Sequence, residues 1–231
     1  MILSVHQPQY LPWLGYFHKI AQSDCFVFLD NVQYKEREFQ NRNKIRTQKG
    51  WAWLSVPVVS GEQRQQKINK VRIDNEMPWQ RKHWGSLKTA YSSAVYFKEY
   101  AVFLEEVYSK KWEWFLDLNV HIISFILKEL SITTPISFGS DLKITTTKTQ
   151  RIIDICKKLN ADTYLSGIGA KEYLEEGLFE ENGIALRYQD FQHPVYRQQF
   201  MAESKDFISH LSAVDLLFNQ GPKAREILGL D

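Results

Sequence analysis

Residues 2–30, ILSVHQPQYLPWLGYFHKIAQSDCFVFLD, set two short apolar runs on either side of a helical pattern, and few folds accept that order in so short a span. Ile2, Leu3 and Val5 form a run with no polar face, the mark of a strand buried on both sides in a parallel sheet. Leu14, Phe17, His18, Ile20 and Ala21 recur at helical spacing, and Pro12 suits the first turn because its missing N–H is not needed there. Cys25–Leu29 is the second run, ended by Asp30. Strand, helix and strand make a βαβ unit, which is right-handed. That handedness sets His6, Gln7 and Asp30 on one rim of the sheet, the rim where open α/β sheets bind their ligands.

The remainder of the chain extends this beginning. Trp51–Val59 reads as a strand that Pro57 confines to an edge, paired across the polar loop 60–69 with Val71–Ile73 as a β-hairpin. Asp74 or Asn75 caps a helix carrying Trp79, His83, Trp84, Leu87, Ala90 and Tyr91 on one face. Phe97, Ala101, Leu104, Val107 and Tyr108 give a second helix, and residues 112–130 a third. From Lys148 to Leu159 the chain is helical with Asn160 as C-cap. Thr163–Ser166 is a strand, Gly167–Ala170 turns into a helix over Lys171–Glu176, and Ile184–Tyr188 is a further strand. The tail ends in a helix, LSAVDLLFN, stopped by Gly221-Pro222. The expected fold is α/β: a mostly parallel, doubly wound sheet of nucleotidyltransferase or Rossmann-like type, with a helical insertion and a short β-hairpin. It is expected to form one domain over residues 1–231, with 76–130 as the insertion.

Charge narrows the choice of ligand. The net charge is only +2, but residues 33–49 hold six cations against Glu36 and Glu38. A local cationic site fits this better than a polyanion-binding protein. The 7 Trp, 11 Tyr and 14 Phe exceed what a compact core requires, so some of these rings are expected to line a groove. Cys25 and Cys156 lie in apolar runs without metal spacing, as reduced core residues do. MILSVHQPQ lacks the pattern of a secretory leader, and the apolar stretch 112–130 is interrupted by Asp117, Asn119 and His121, so a cytoplasmic protein without a membrane span is expected.

Four constellations carry chemistry. At the end of the first strand, His6 with Gln7 and Tyr10 can donate to a phosphate or carbonyl oxygen, or take a proton near neutral pH. In QYKEREFQNRNKIR, the forks of Arg37 and Arg42 and the point charges of Lys35 and Lys44 suit phosphate, with Asn41 among them. If 34–40 is extended, Lys35, Arg37 and Phe39 share a face. In LSGIGAKEY, Ser166, Gly167, Gly169 and Lys171 form a candidate anion turn, with Lys148 and Arg151 near the same crevice. After the last strand, His193, fixed by the following proline, and Tyr196 form the fourth, His193 as acid or base opposite His6. Each has a structural alternative: a histidine that ties down a loop, cations that solvate a surface, glycines that only turn the chain. His18, on the apolar helix face, is read as a packed, satisfied histidine. No GxSxG elbow, no cysteine paired with a base and no HExxH are present, which disfavours covalent catalysis and a bound metal.

HQPQYLPWLGYFHKI, QYKEREFQNRNKI, YLSGIGAKEYL, HPVY with Gln198 and DLLFNQGP together resemble the WbqC-like protein family across nearly the whole chain. The resemblance implies a bacterial protein of surface-polysaccharide or O-antigen gene clusters. It carries over no catalytic residue. A looser likeness is to nucleotidylyltransferases, from which the chain departs: His6 and His18 are twelve apart where that group has a paired-histidine motif, and residues 144–151, ITTTKTQR, match the later basic motif only in outline.

The expected activity is that of a transferase binding a phosphate-containing small molecule, a nucleotide or nucleotide-activated sugar, with Lys35, Arg37, Arg42 and Lys44 on the phosphates and His6 or His193 on the proton. Acyl or aminoacyl transfer to an amino sugar is the first alternative. A non-catalytic nucleic-acid or partner-binding module, suggested by the cations beside Trp51 and Trp53, is the second, and the low net charge counts against it. Cofactor and oligomeric state are left open.

Overall fold

β1 (Ile2–His6) is the middle strand of a five-stranded parallel sheet in the computed structural model, which describes residues 1–59 and 66–230. It is followed by α1 (Leu14–Ala21), β2 (Cys25–Phe28), β3 (Arg42–Thr47), β4 (Gly50–Ser55), α2 (Trp79–Tyr91), α3 (Phe97–Ser109) and α4 (Phe115–Glu129). Then come β5 (Ile136–Phe138), α5 (Lys148–Lys158), β6 (Thr163–Ser166), α6 (Glu176–Glu181), β7 (Ala185–Tyr188), α7 (Val214–Gln220) and α8 (Ala224–Ile227). These elements gather into two compact units: Met1–Pro8, Gly15–Val32 and Ile132–Gln192 form the first, and Gln9–Leu14, Gln33–Ser131 and the chain from His193 onward form the second.

The first unit holds the parallel sheet, in the order β5-β2-β1-β6-β7. From β1 the chain winds outward through β2 to β5, then returns to the other side of β1 for β6 and β7. The direction of winding therefore reverses between β1 and β6, as the doubly wound expectation requires. Side chains alternate across the sheet. On one face Leu3, Val5, Val27 and Tyr164 pack with Ile152, Ile153, Ile155 and Cys156 of α5 and Phe179 of α6 in a buried core. On the other, Ser4, Phe26 and Phe28 are buried; Ser4 meets Ser23, and Tyr16 of α1 packs edge to face on Phe26. Cys25 and Cys156 are both free thiols, Cys156 buried.

Three points of the sequence reading around the sheet need correction. β5 was not foreseen: its three residues are too few to show a period, and it is specified by pairing with β2 at Phe26–Ile136 and Phe28–Phe138. Gly167 does not open a helix over Lys171–Glu176; a single 3₁₀ turn spans Ile168–Ala170, and α6 begins at Glu176. Pro12 precedes α1, which starts at Leu14.

The second unit contains the three helices α2 to α4, close to the ranges their apolar stripes give, and the β3–β4 hairpin. The hairpin differs from expectation. The partner of Gly50–Ser55 is the basic tract Arg42–Thr47, and among the described residues Val71–Ile73 makes isolated bridges, Ile73 to Val58 and Arg72 to Trp114, in place of a hairpin strand. Counting charges hid the alternation of the tract, in which Asn43 and Ile45 turn inward and are fully buried. Of the polar loop expected over 60–69, residues 60–65 lie outside the described residues.

The tail helix α7 stops at Gly221, as its Gly-Pro pair foretold, and Gly221 takes φ +53. A Cβ there would lie 2.4 Å from the Tyr96 ring. Left-handed strain and overpacking combine at this site, so Gly221→Ala is expected to destabilise the fold by roughly 2–4 kcal/mol, read as a lower urea midpoint. An unchanged midpoint would show that the ring yields freely.

Candidate functional site

The carboxyl end of β1 brings His6 to the rim of the first unit. Pairing of His6 with Phe28 and the Leu29 N–H donated to the His6 carbonyl fix its backbone, and Asp30 follows on the same rim. The His6 Nδ1–H donates to the Gln7 carbonyl at 3.0 Å, and the Tyr16 hydroxyl donates to the same oxygen at 3.2 Å. The imidazole stands edge-on to the Tyr16 ring at 5.0 Å. With Nδ1 as the donor, Nε2 of the neutral ring carries the lone pair. Burial, reinforced by the charge of Lys19, lowers the His6 pKa to about 3. His6 is thus neutral at physiological pH, an acceptor rather than an acid. Asp30 is buried, accepts the Ser140 N–H at 2.9 Å and so ties the end of β2 to the turn after β5.

Ser166 ends β6, fully buried, and by alternation lies on the face opposite His6. Past it, the Ala170 N–H donates to Gly167 O and the Lys171 N–H to Ile168 O, so two of the amides assigned to an anion turn close a 3₁₀ turn instead. Gly169 sits in that turn with open space beside its Cα. The Lys171 ammonium lies 5.8 Å from the Tyr188 ring centroid. At the start of α5, Lys148 adopts φ +54, and the Arg151 guanidinium donates to the Thr146 carbonyl. His18 is held by Gln189 at 2.9 Å and packs on Phe191 at 4.9 Å, a satisfied side chain as expected.

The remaining candidates belong to the second unit. Residues 34–40 are not extended: they form turns, with Arg37 at φ +61, and Lys35 and Arg37 are exposed there. Arg42 and Lys44 stand on the outer face of the hairpin. Register pairs Lys44 with Trp53 and Arg46 with Trp51, so cations and indoles alternate on one face. The Arg42 guanidinium lies 4.3 Å over Trp53, and Lys44 Nζ lies 4.8 Å from Trp51 and 5.5 Å from Trp53. Phe39 adjoins Trp53 at 5.9 Å, and Trp51 is 45% exposed. Asn41 donates to the Val56 carbonyl, a structural bond. Tyr10 is fully buried, its hydroxyl 2.9 Å from His83 Nδ1 and 2.6 Å from the Tyr108 hydroxyl, so it serves the interior of this unit.

His193 donates from Nδ1 to the Pro194 carbonyl and sits among Trp13, Phe207 and His210, with Trp13 stacked on His210 at 4.9 Å. Burial lowers its pKa. Tyr196 is buried and donates to Asp215 Oδ2 at 2.8 Å, beside Gln198 Nε2 at 2.9 Å; the Tyr91 hydroxyl donates to Oδ1 at 2.8 Å. Asp215, fully buried, therefore ties α2, the 193–198 segment and α7 together. Sequence reasoning passed over Asp215 and Lys19, although a lone charge inside an apolar run, LSAVDLLF or GYFHKIA, is a readable signal.

The sheet defines a doubly wound α/β protein with a polar rim at its reversal point. The chain belongs to the WbqC-like protein family, whose model matches residues 7–227. An uncharacterised protein of Mycobacterium tuberculosis (strain ATCC 25618 / H37Rv), Rv1507c, is similar to it, 34% identical over 228 residues covering 98% of this chain and 96% of that protein. No solved structure matches. Among the described residues, no helix is long and apolar enough to cross a membrane.

Asp215 also sets a pH dependence. Burial raises its carboxyl to about 6 against the donors that favour its charged form. The folded chain then holds this proton more tightly than the unfolded chain, so the stability it contributes is present at low pH and is lost as pH rises through about 6. Asp215→Asn removes that slope, and its stability deficit against the natural chain is expected to be larger near pH ~4.5 than near pH ~7 in urea titrations. Asp215→Ala, which strands three donors, is expected to cost roughly 3 kcal/mol or more at both. A deficit of Asp215→Asn that does not change with pH would contradict the raised carboxyl.

Proposed function

We propose that the protein is a transferase that binds a nucleotide or nucleotide-activated sugar at the β1/β6 reversal point of its parallel sheet and serves bacterial surface-polysaccharide biosynthesis. The observation that carries the reading is the order β5-β2-β1-β6-β7, which reverses where His6 and Gln7 emerge. Doubly wound sheets bind ligands in the crevice outside the strand ends at such a point, where diverging loops leave room. In this reading His6 accepts a hydrogen bond or a proton at Nε2, and Ser166 and Gly167 border the ligand from the neighbouring strand. Membership of the WbqC-like family is compatible with a biosynthetic role.

A thermal-shift screen against nucleoside diphosphates and nucleotide sugars tests this. A ligand present at a hundred times its Kd adds about 2.7 kcal/mol to stability, and the midpoint is expected to rise with its concentration. In the reaction such a ligand identifies, His6→Ala should lower turnover roughly a hundredfold while affinity changes little. No shift with any nucleotide, or equal and small losses from His6→Ala in turnover and affinity, would overturn the assignment.

A second reading, a module that binds single-stranded nucleic acid, is favoured by the hairpin face alone, where Arg42 and Lys44 lie beside the exposed indole of Trp51 and the half-buried one of Trp53. It calls for oligonucleotide binding that weakens steeply with salt and is lost in Trp51→Ala. Absence of binding at low salt would eliminate it.

A further inference from the structure

Pairing between β1 and β6 is registered only at Ile2–Thr163 and Leu3–Tyr164. Both strands run on, to His6 and Ser166, so they part at their carboxyl ends, at the reversal point itself. The His6 carbonyl accepts from Leu29 on the β2 side, so the Val5 carbonyl points the other way, toward β6. A ladder that continued would supply a backbone N–H there. Its partner is instead Lys19 Nζ, reaching from α1 at 3.3 Å.

Lys19 is 3% exposed. An ammonium has three donors, and the contact to Val5 is the one hydrogen bond this one makes among the described residues. No carboxylate among those residues forms an ion pair with it. The titratable group facing it from β1 is His6, which is neutral. Burial without a counter-ion lowers the lysine to about 7, poised between its two forms. Tying one carbonyl needs only a neutral donor. A cation with two idle N–H groups where two strands part is completed by an incoming anion.

We propose that Lys19 Nζ is the anion anchor of the β1/β6 site, the group that receives a phosphate oxygen of the bound nucleotide. This rests on the nucleotide reading above and adds the counter-charge that reading lacks in the first unit. The anion would hold the lysine in its charged form, with His6 Nε2 remaining an acceptor for a donor on the same ligand.

The test is calorimetric titration of the full chain with inorganic pyrophosphate and with UDP, for the natural protein and for Lys19→Met. The substitution keeps an unbranched, flexible side chain, one atom shorter, and removes the charge with its donors. Both probes are expected to bind, and Lys19→Met to weaken both roughly tenfold to a hundredfold. Undiminished binding in Lys19→Met would overturn the role of Lys19 and leave the nucleotide reading standing. Failure of the natural chain to bind either probe would overturn both. Should Lys19→Met not fold, the lysine ¹³Cε resonances of the natural protein decide. That of Lys19 is expected to titrate near 7 alone and above about 9 with saturating pyrophosphate. An unmoved midpoint would overturn the anchor.

Discussion

Burial of β1 on both faces is the constraint on which the first unit depends. A strand in that position has no solvent to satisfy its backbone, so every carbonyl and N–H must find a ladder partner or a substitute. At Leu3 the substitute is not needed, because β2 and β6 flank the strand. At Val5 the β6 side of the ladder has run out, and a side chain from α1 takes its place. The sheet can thus open at its reversal point without leaving an orphaned carbonyl. The same solution puts an ammonium group into a location that open α/β sheets use for ligands. The residue that repairs the ladder also acts electrostatically on the rim histidine, where its charge disfavours the imidazolium.

The second unit solves its polar problem differently. Tyr10, His83 and Tyr108 share hydrogen bonds in its interior, and Asp215 collects donors from Tyr91, Tyr196 and Gln198. These groups are buried and matched to one another, so they specify which segments meet, and little capacity is left over for a ligand. The outward face of the hairpin is the opposite case. Arg42 and Lys44 lie over indole rings, an arrangement that holds their charge in place while leaving the aromatic surface of Trp51 half open. A surface of that kind suits stacking partners that carry negative charge.

Much of this was legible in the residues. The run Ile2–Val5, the helical period from Leu14 and the run from Cys25 fixed the first βαβ unit, and the TYLS strand and Ile184–Tyr188 gave its counterpart, because long apolar runs answer mainly to their own period. β5 was hidden because three residues of edge strand carry no period of their own. The hairpin was misread because the tract from Arg42 was counted by charge, when its alternation with the buried Asn43 and Ile45 already described a strand. Tyr10 and Tyr196 looked like site residues because polar side chains in loops draw attention. Their hydroxyls are used up by partners 73 and 19 residues away, which no local pattern reveals. Lys19 draws no attention of this kind: it lies amid Phe17, His18 and Ile20, and its burial follows from the packing of α1 on the sheet.

The central claim is that the parted ends of β1 and β6 receive the phosphates of a nucleotide. A crystal structure of the protein grown with a nucleoside diphosphate examines it most directly. The account predicts phosphate density beyond Val5 and Ser166, with an oxygen about 3 Å from Lys19 Nζ. Phosphates seated on the Arg42–Trp53 face, with the strand ends empty, would contradict it.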